Sequence, residues 1–298
     1  MFGSRKKKET IIIALGANFL KLGVFRQQGA KKELVNLVFR DIPGTSDADI
    51  AKAVTESIAG LKVKDANISI VVPAGVVITK NIDVPSTNPA EIKEITSLQA
   101  GRHTPYSREE IIADHIDIGV YKKNYTKILM VIVPSKIIKK QLDVLSKAGV
   151  KADKILFAPE LTAWSIGKVL RLDTNSQPAA LLVVDRDTCD FSVVHRSKLI
   201  FVRSIPLGAA LLAKEPDKNN ARLCEEVKKS FEAYQAEDVE KAPKGLYVCG
   251  AVDKLDTVTA MLEELTKVSV AKIPYMKNIA MSRPVIEFLS HDIGVSFF

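Results

Sequence analysis

One rhythm of apolar alternation occurs twice along this chain, and it restricts the fold more than any single residue does. TIIIALGANFLKLGVF, residues 10–25, reads as a strand, a short turn at Gly16-Ala17-Asn18 and a second strand. ELVNLVFRDI, residues 33–42, alternates as a third strand. Ser46 then caps a helix, with Asp49 three residues on and Ile50, Val54, Ile58 and Leu61 along one face. ANISIVVP, 66–73, is a buried strand, so the order is β-β-β-α-β. AALLVVDRDTCDFSVV and KLIFVRSIPLG, between 179 and 208, start that order again. A helix at 220–236 follows, with Leu223, Val227, Phe231 and Tyr234 on one face. GLYVCG (245–250) is the next buried strand, and 253–267 is an amphipathic helix with Leu255, Val258, Leu262 and Leu265 inward. A chain running β-β-β-α-β-α twice predicts an α/β protein of two similar lobes facing one another across a cleft, where a ligand would sit.

Between the repeats the pattern changes. VVITKNIDVP (76–85) alternates, and Asn88-Pro89-Ala90-Glu91 supplies a helix cap, a proline at the first position and a glutamate at the third. That helix runs through Ile92, Ile95 and Leu98 to Gly101. Residues 111–121 and 127–134 read as a strand pair, and Ser135 starts a helix with Ile138, Leu142 and Leu145 inward, ended by Gly149. PELTAWSIGKVLR (159–171) is a helix, and Asp173 to Pro178 a polar hinge. The expected organisation is a basic tail (1–9), a first lobe (10–75) and an inserted α+β subdomain (76–157). A linking helix and hinge (158–177), a second lobe (178–283) and a C-terminal helix (284–298) complete it.

Composition excludes several function classes. No stretch reaches the roughly 18 apolar residues of a membrane span, and MFGSRKKKE lacks the apolar core of a signal peptide, so a cytoplasmic protein is expected. Cys189, Cys224 and Cys249 are odd in number and far apart, which argues against a disulfide framework. His103, His115, His195 and His291 are scattered, with no metal-ligand spacing and no Ser-His-Asp or Cys-His arrangement. Neither a metal site nor a catalytic residue is assigned. The net charge is +8 with a pI near 9.2, partly from the run Arg5, Lys6, Lys7 and Lys8. No nucleic-acid module is present, and a light electrostatic preference for anionic lipid suits that charge better.

Longer segments carry a resemblance. ITKNIDVPSTNPAEIKEITSLQAGRHTPYSREEIIADHIDIGV resembles the middle segment of the PilM proteins of type IV pilus assembly. KILMVIVPSKIIKKQLDVLSKAGVKADKILFAPELTAWSIG resembles the block that follows it. KLIFVRSIPLGAALL, LCEEVKKSFEAYQAE and the strand ending at Gly250 look like second-lobe elements of the same family. PilM is similar to the division protein FtsA and belongs to the actin-like ATPases. The resemblance therefore implies duplicated actin-like (ribonuclease H-like) lobes with a small inserted α+β subdomain. It also implies an adaptor at the inner face of the cytoplasmic membrane. Such an adaptor holds the tail of a PilN-like membrane protein around residues 76–121, among other pilus or secretion components. The alternatives are an ATP-binding switch or slow ATPase, or the cytoplasmic domain of a type II secretion L-type subunit, a family with a longer chain and a transmembrane helix.

The same resemblance implies where ATP with magnesium would bind. A first phosphate loop falls at Leu15 to Lys21: Gly16 and Lys21 are kept, Asn18 offers its amide, and Phe19 replaces a small polar residue. Ala14-Leu15 stands where an acid would position magnesium. The other reading is a plain hairpin with Lys21 exposed. A second phosphate loop falls in VVDRDTCDFSVV, where Asp185 fills the acid position and Thr188 is a donor, while Arg186 and Asp187 replace the residues that let the backbone close on a phosphate. Glu225 and Lys228 would approach ribose and base, or simply pair with one another across a helical turn. Gly250-Ala251 stands where a glycine pair admits adenosine. These departures imply a site that is weak or empty.

Overall fold

Two sheets of one design account for the repeated rhythm. The computed structural model describes residues 9–16, 19–29, 31–42, 46–121, 123–168, 172–251, 256–273 and 280–285. The expected basic tail, apart from Glu9, and the expected C-terminal helix beyond residue 285 lie outside them. The first sheet takes β1 (Glu9–Leu15), β2 (Phe19–Gln28), β3 (Lys31–Asp41), and, after helix α1 (Asp47–Ser57), β4 (Ala66–Val72). β1 pairs antiparallel with β2 and parallel with β4, and β2 pairs antiparallel with β3. The expected cap is present: Ser46 Oγ accepts the Asp49 N–H at 3.2 Å.

The chain then builds β5 (Ile78–Val84), α2 (Pro89–Ala100), β6 (Ile111–Tyr121) and β7 (Tyr125–Pro134), a three-stranded antiparallel sheet in the order β5-β7-β6. Asn88 Oδ1 caps α2 by accepting the Ala90 N–H at 2.9 Å. Glu91 does not reach back to Asn88. Ser86 stands between them, its hydroxyl donating to Glu91 at 2.5 Å and accepting the Asn88 N–H at 3.0 Å. Helix α3 (Ser135–Lys147) and β8 (Lys154–Phe157) do not join this small sheet, although the sequence placed them in the inserted block. Val144, Leu145 and Val150 are buried with Ile11, Ile13 and Ile70 in the first lobe's core, and β8 pairs parallel with β4. The insertion thus interrupts a β4–α3–β8 crossover.

After helix α4 (Ala158–Lys168), the second sheet repeats the first: β9 (Ala179–Val184), β10 (Cys189–His195), β11 (Lys198–Ile205), β12 (Gly245–Gly250) and β13 (Ser269–Lys272). Its order, β11-β10-β9-β12-β13, matches β3-β2-β1-β4-β8, again with antiparallel pairs on one side of the central strand and parallel pairs on the other. Even the bulge recurs in the second strand, at Val24/Phe25 and at Val193/Val194. The crossover helices are the four-residue α5 (Ala209–Leu212), α6 (Pro216–Ala236) and α7 (Asp256–Thr266). Residues of β14 (Ala280–Met281) pair with β3, so the chain leaves the second lobe before the boundary expected at 283.

By internal contacts the chain divides into two compact units. Met1–Pro73, Lys136–Phe157 and Asn278–Asp292 form the first; Ala74–Ser135, Ala158–Lys277 and Ile293–Phe298 form the second. The small sheet belongs to the second unit, where Asn81 Nδ2 donates to the Ile200 carbonyl at 3.2 Å and Lys80 pairs with Glu237 at 2.8 Å. The second core centres on Phe191, whose ring meets Phe231 edge-on at 4.9 Å and Phe201 at 6.2 Å. Phe191→Ala should destabilise the protein by about 3–5 kcal/mol in urea denaturation, since the ring leaves a cavity that β10 cannot close. Gly250 has φ +95° and would drive a Cβ into the Val184 carbonyl. Gly250→Ala should therefore lower stability by roughly 1–3 kcal/mol, read as a lower urea midpoint at unchanged slope.

Candidate nucleotide site

Both expected phosphate loops are β-hairpin turns that leave the central strand of a lobe, and both close in the same way. In the second lobe the Asp185 N–H donates to the Thr188 carbonyl at 2.9 Å; in the first, the Gly16 N–H donates to the Phe19 carbonyl at 2.9 Å. Asp185–Thr188 and Gly16–Phe19 are therefore equivalent positions. What fills each turn differs.

In the second turn the Arg186 N–H donates to Asp185 Oδ1 at 2.7 Å. The carbonyls of Asp185 and Arg186 accept the N–H groups of Ala209 and Ala210 at 2.8 and 3.0 Å. Gly208, the N-cap of α5, lies so close that a Cβ there would collide with Arg186 O, Asp187 C and Thr188 N. The segment 208–210 thus covers the turn. An anion cradle needs backbone N–H groups that point outward without acceptors. Two of this turn's N–H groups already have acceptors inside it, and Asp187 stands exposed beside them.

The first turn is filled by its own side chain. The Phe19 ring lies where a Cβ on Gly16 would be, stacks on Phe39 at 5.7 Å, and is 7% exposed. Lys21 is not exposed, as the plain-hairpin reading expected. It is 6% exposed, with Nζ 5.2 Å from the Phe19 ring centroid, a cation–π geometry. Ala17 and Asn18 lie outside the described residues, so the amide expected of Asn18 has no placement.

Gly250 adjoins Val184 in the β12–β9 register, and the Ala251 N–H donates to the Val184 carbonyl at 2.9 Å. Asp185, Thr188 and Gly250 therefore share one edge of the second sheet. Glu225 is exposed and Lys228 half-buried on α6, and no hydrogen bond or ion pair joins either to that edge. Nor do they pair with one another. The ion pairs here belong to the neighbouring residue: Glu226 meets Lys229 at 2.9 Å and Arg203 at 2.7 Å. Arg203 Nη1 also donates to the Glu226 carbonyl and to Ser230 Oγ. Hydrogen bonds from Lys229 and Arg203 hold the Glu226 carboxyl below its usual range. Gly208 and Arg203 escaped the sequence reading, although IPLGAALL signalled a glycine between a strand and a run of small residues.

The remaining chemistry is sparse. All three cysteines are free and buried. Burial pushes the Cys249 thiol up to about 12, and burial with the Glu225 charge pushes Cys224 up to about 11, so neither is a thiolate at neutral pH. Among the described residues no group of histidine, cysteine and carboxylate side chains could hold a metal ion. No helix among them is long and apolar enough to cross a membrane.

Comparison with known proteins agrees with this geometry. The chain is similar to a chain of a PilM–PilN type IV pilus biogenesis complex, with 18% identity, a TM-score of 0.81, and 98% of this chain and 96% of that one covered. A Bacteroides thetaiotaomicron protein with an actin-like ATPase fold matches at a TM-score of 0.55 and 11% identity, covering 96% and 97% of the two chains. No curated protein sequence matches. The duplicated lobes are those of the actin-like fold. The family model described as type IV pilus assembly protein PilM matches residues 31–219, well over half of the sequence, and the chain belongs to that family.

Proposed function

We propose that this protein is a cytoplasmic, actin-like adaptor of an inner-membrane pilus assembly complex. It holds the cytoplasmic tail of a PilN-like membrane protein, and its nucleotide site is weak or lost. The observation that carries the proposal is the likeness along 98% of the chain to a component of a complex that contains PilN. Family membership supports the pilus assignment over type II secretion. The tail takes an extended form beside β6, the end strand of the small sheet, which among the described residues pairs with β7 alone and exposes Ile112 and Val120. An end strand recruits a peptide through its free backbone groups and selects it through alternate side chains.

The loss of nucleotide affinity rests on the two turns. One is occupied by the Phe19 ring and the other is covered by Gly208 to Ala210, with its Asp185 and Arg186 N–H groups bonded internally. Asp185, Thr188 and Gly250, gathered at one sheet edge, favour the competing reading of an ATP-dependent switch.

Two measurements separate these readings. Fluorescence-anisotropy titration of the full chain with synthetic tails of PilN-like proteins should give saturable binding, weakened about tenfold or more by Val120→Asp, an exposed position. No affinity for any tail from neighbouring pilus or secretion proteins would defeat the adaptor. In a thermal-shift titration, millimolar Mg-ATP should move the midpoint by less than about 1 °C, because a ligand far below its Kd adds almost nothing to stability. A saturable rise of several degrees would establish the switch instead.

A further inference from the structure

The end strand of the small sheet differs in sign from the protein that carries it. The whole chain has a net charge of +8, yet residues 107–121, β6 and the turn that leads into it, hold four carboxylates, Glu109, Glu110, Asp114 and Asp117, against one cation, Arg108. Lysines return at the hairpin end, where Lys123 is exposed and Lys127 sits 5.3 Å from the centroid of the Tyr121 ring. The acidic half of the strand is therefore the half that starts at Ile111. Glu110 is committed to the turn, accepting the Ser107 N–H at 3.0 Å, and Asp117 has Lys198 at 3.9 Å. Asp114 accepts the N–H of its neighbour His115 at 2.9 Å, and its side chain is 81% exposed.

Side chains alternate along β6. Ile111 and Ala113 pack against the core that contains Ala100 of α2, so Ile112 and Asp114 face the other way. There Asp114 comes near Glu160 of α4, a helix that packs, as β6 does, against β11. Partial burial, and then the nearby Asp114 charge, hold the Glu160 carboxyl above its usual range. No hydrogen bond or ion pair joins Glu160 to another residue among those described. One helical turn further on the same face of α4, Trp164 is 53% exposed. Two carboxylates that repel one another are thus flanked along their elements by exposed apolar side chains, Ile112 on β6 and Trp164 on α4.

We propose that this surface selects a basic segment of the tail, seating a lysine or arginine between Asp114 and Glu160 with its aliphatic stem against Trp164. Such selection rests on the adaptor reading and adds to it the chemistry of the peptide and the side chains that read it. The cytoplasmic segments of membrane proteins are enriched in lysine and arginine close to the span. A chain of net +8 repels such a segment as a whole, whereas carboxylates without cation partners attract it within the ~8 Å reach of charge at physiological salt. A lysine or arginine also suits the indole face through a cation–π contact, and its stem covers apolar surface. An uncharged or acidic tail would leave the repulsion between Asp114 and Glu160 unrelieved.

The test is a fluorescence-anisotropy titration of the full chain with two labelled tails of a PilN-like protein, recording tryptophan emission alongside. One tail keeps its lysines and arginines and the other has glutamine in their place; neither contains tryptophan. The basic tail should bind at least tenfold more tightly and should change the emission of Trp164, the one tryptophan in the chain. Asp114→Asn/Glu160→Gln, which removes both charges and keeps both shapes, should bring the two tails within about twofold of one another. A charge-matched control at exposed positions of α6 and α7, Glu232→Gln/Glu264→Gln, should keep the tenfold preference. Equal affinity of the two tails for the unaltered protein, survival of the preference in Asp114→Asn/Glu160→Gln, its loss in the control, or unchanged Trp164 emission at saturation would each overturn the selection and leave the adaptor standing. Binding of neither tail would overturn both.

Discussion

Each lobe depends on a central strand that must satisfy two kinds of neighbour at once. β1 and β9 each take a hairpin partner on one side and a parallel partner on the other. A hairpin partner can follow after a short turn, but a parallel partner needs a crossover long enough to return the chain to the starting end. The helices that cover the sheets come from these crossovers, with the apolar faces of α1, α3 and α6 directed by them onto the strands. The hairpin turn and the carboxyl ends of the parallel strands emerge at the same edge, as Val184 beside Gly250 shows. The amino ends gather at the other edge.

At the turn edge, backbone groups run out of ladder partners, and buried polar groups without partners are costly. An anion is one way to satisfy them. Here the two turns are filled from within the chain by different means. The first places an aromatic ring over its glycine and a lysine against that ring. The second turns its own aspartate onto an N–H group and receives two N–H groups from α5. The hairpin geometry survives in both, since the register of the central strand requires it.

Much of the fold was legible because period-2 and period-3.6 patterns are local. The three-strand openings, the Ser46 and Asn88 caps and the repeat itself are all written in contiguous residues. The site was less legible. Lys21 reads as a hairpin cation, and only the placement of Phe19 and Phe39 around it makes it a buried one. Glu225 and Lys228 have pairing spacing, yet Glu226 forms the pairs, because Arg203 arrives from β11 at a position that helical periodicity does not encode. Gly208 carries no signal of its closeness to the turn until β11 and α5 are folded.

The misplaced boundary at α3 shows why adjacency in sequence is a poor guide to membership of a lobe. α3 follows β7 without a break, so a reading along the chain joins it to the small sheet. Its allegiance is set instead by which core can bury Val144 and Leu145, and by β8, whose backbone needs a parallel partner that only β4 supplies. The cost of closing a crossover grows only with the logarithm of its length, so the residues from Ala74 to Ser135 can be lodged inside it without loosening the β4–β8 pair. Such an insertion leaves both lobes their common strand order while adding a sheet of its own, with β6 as an end strand. The turns and the insertion of an actin-like lobe pair can therefore change independently, because they are held by separate sets of contacts.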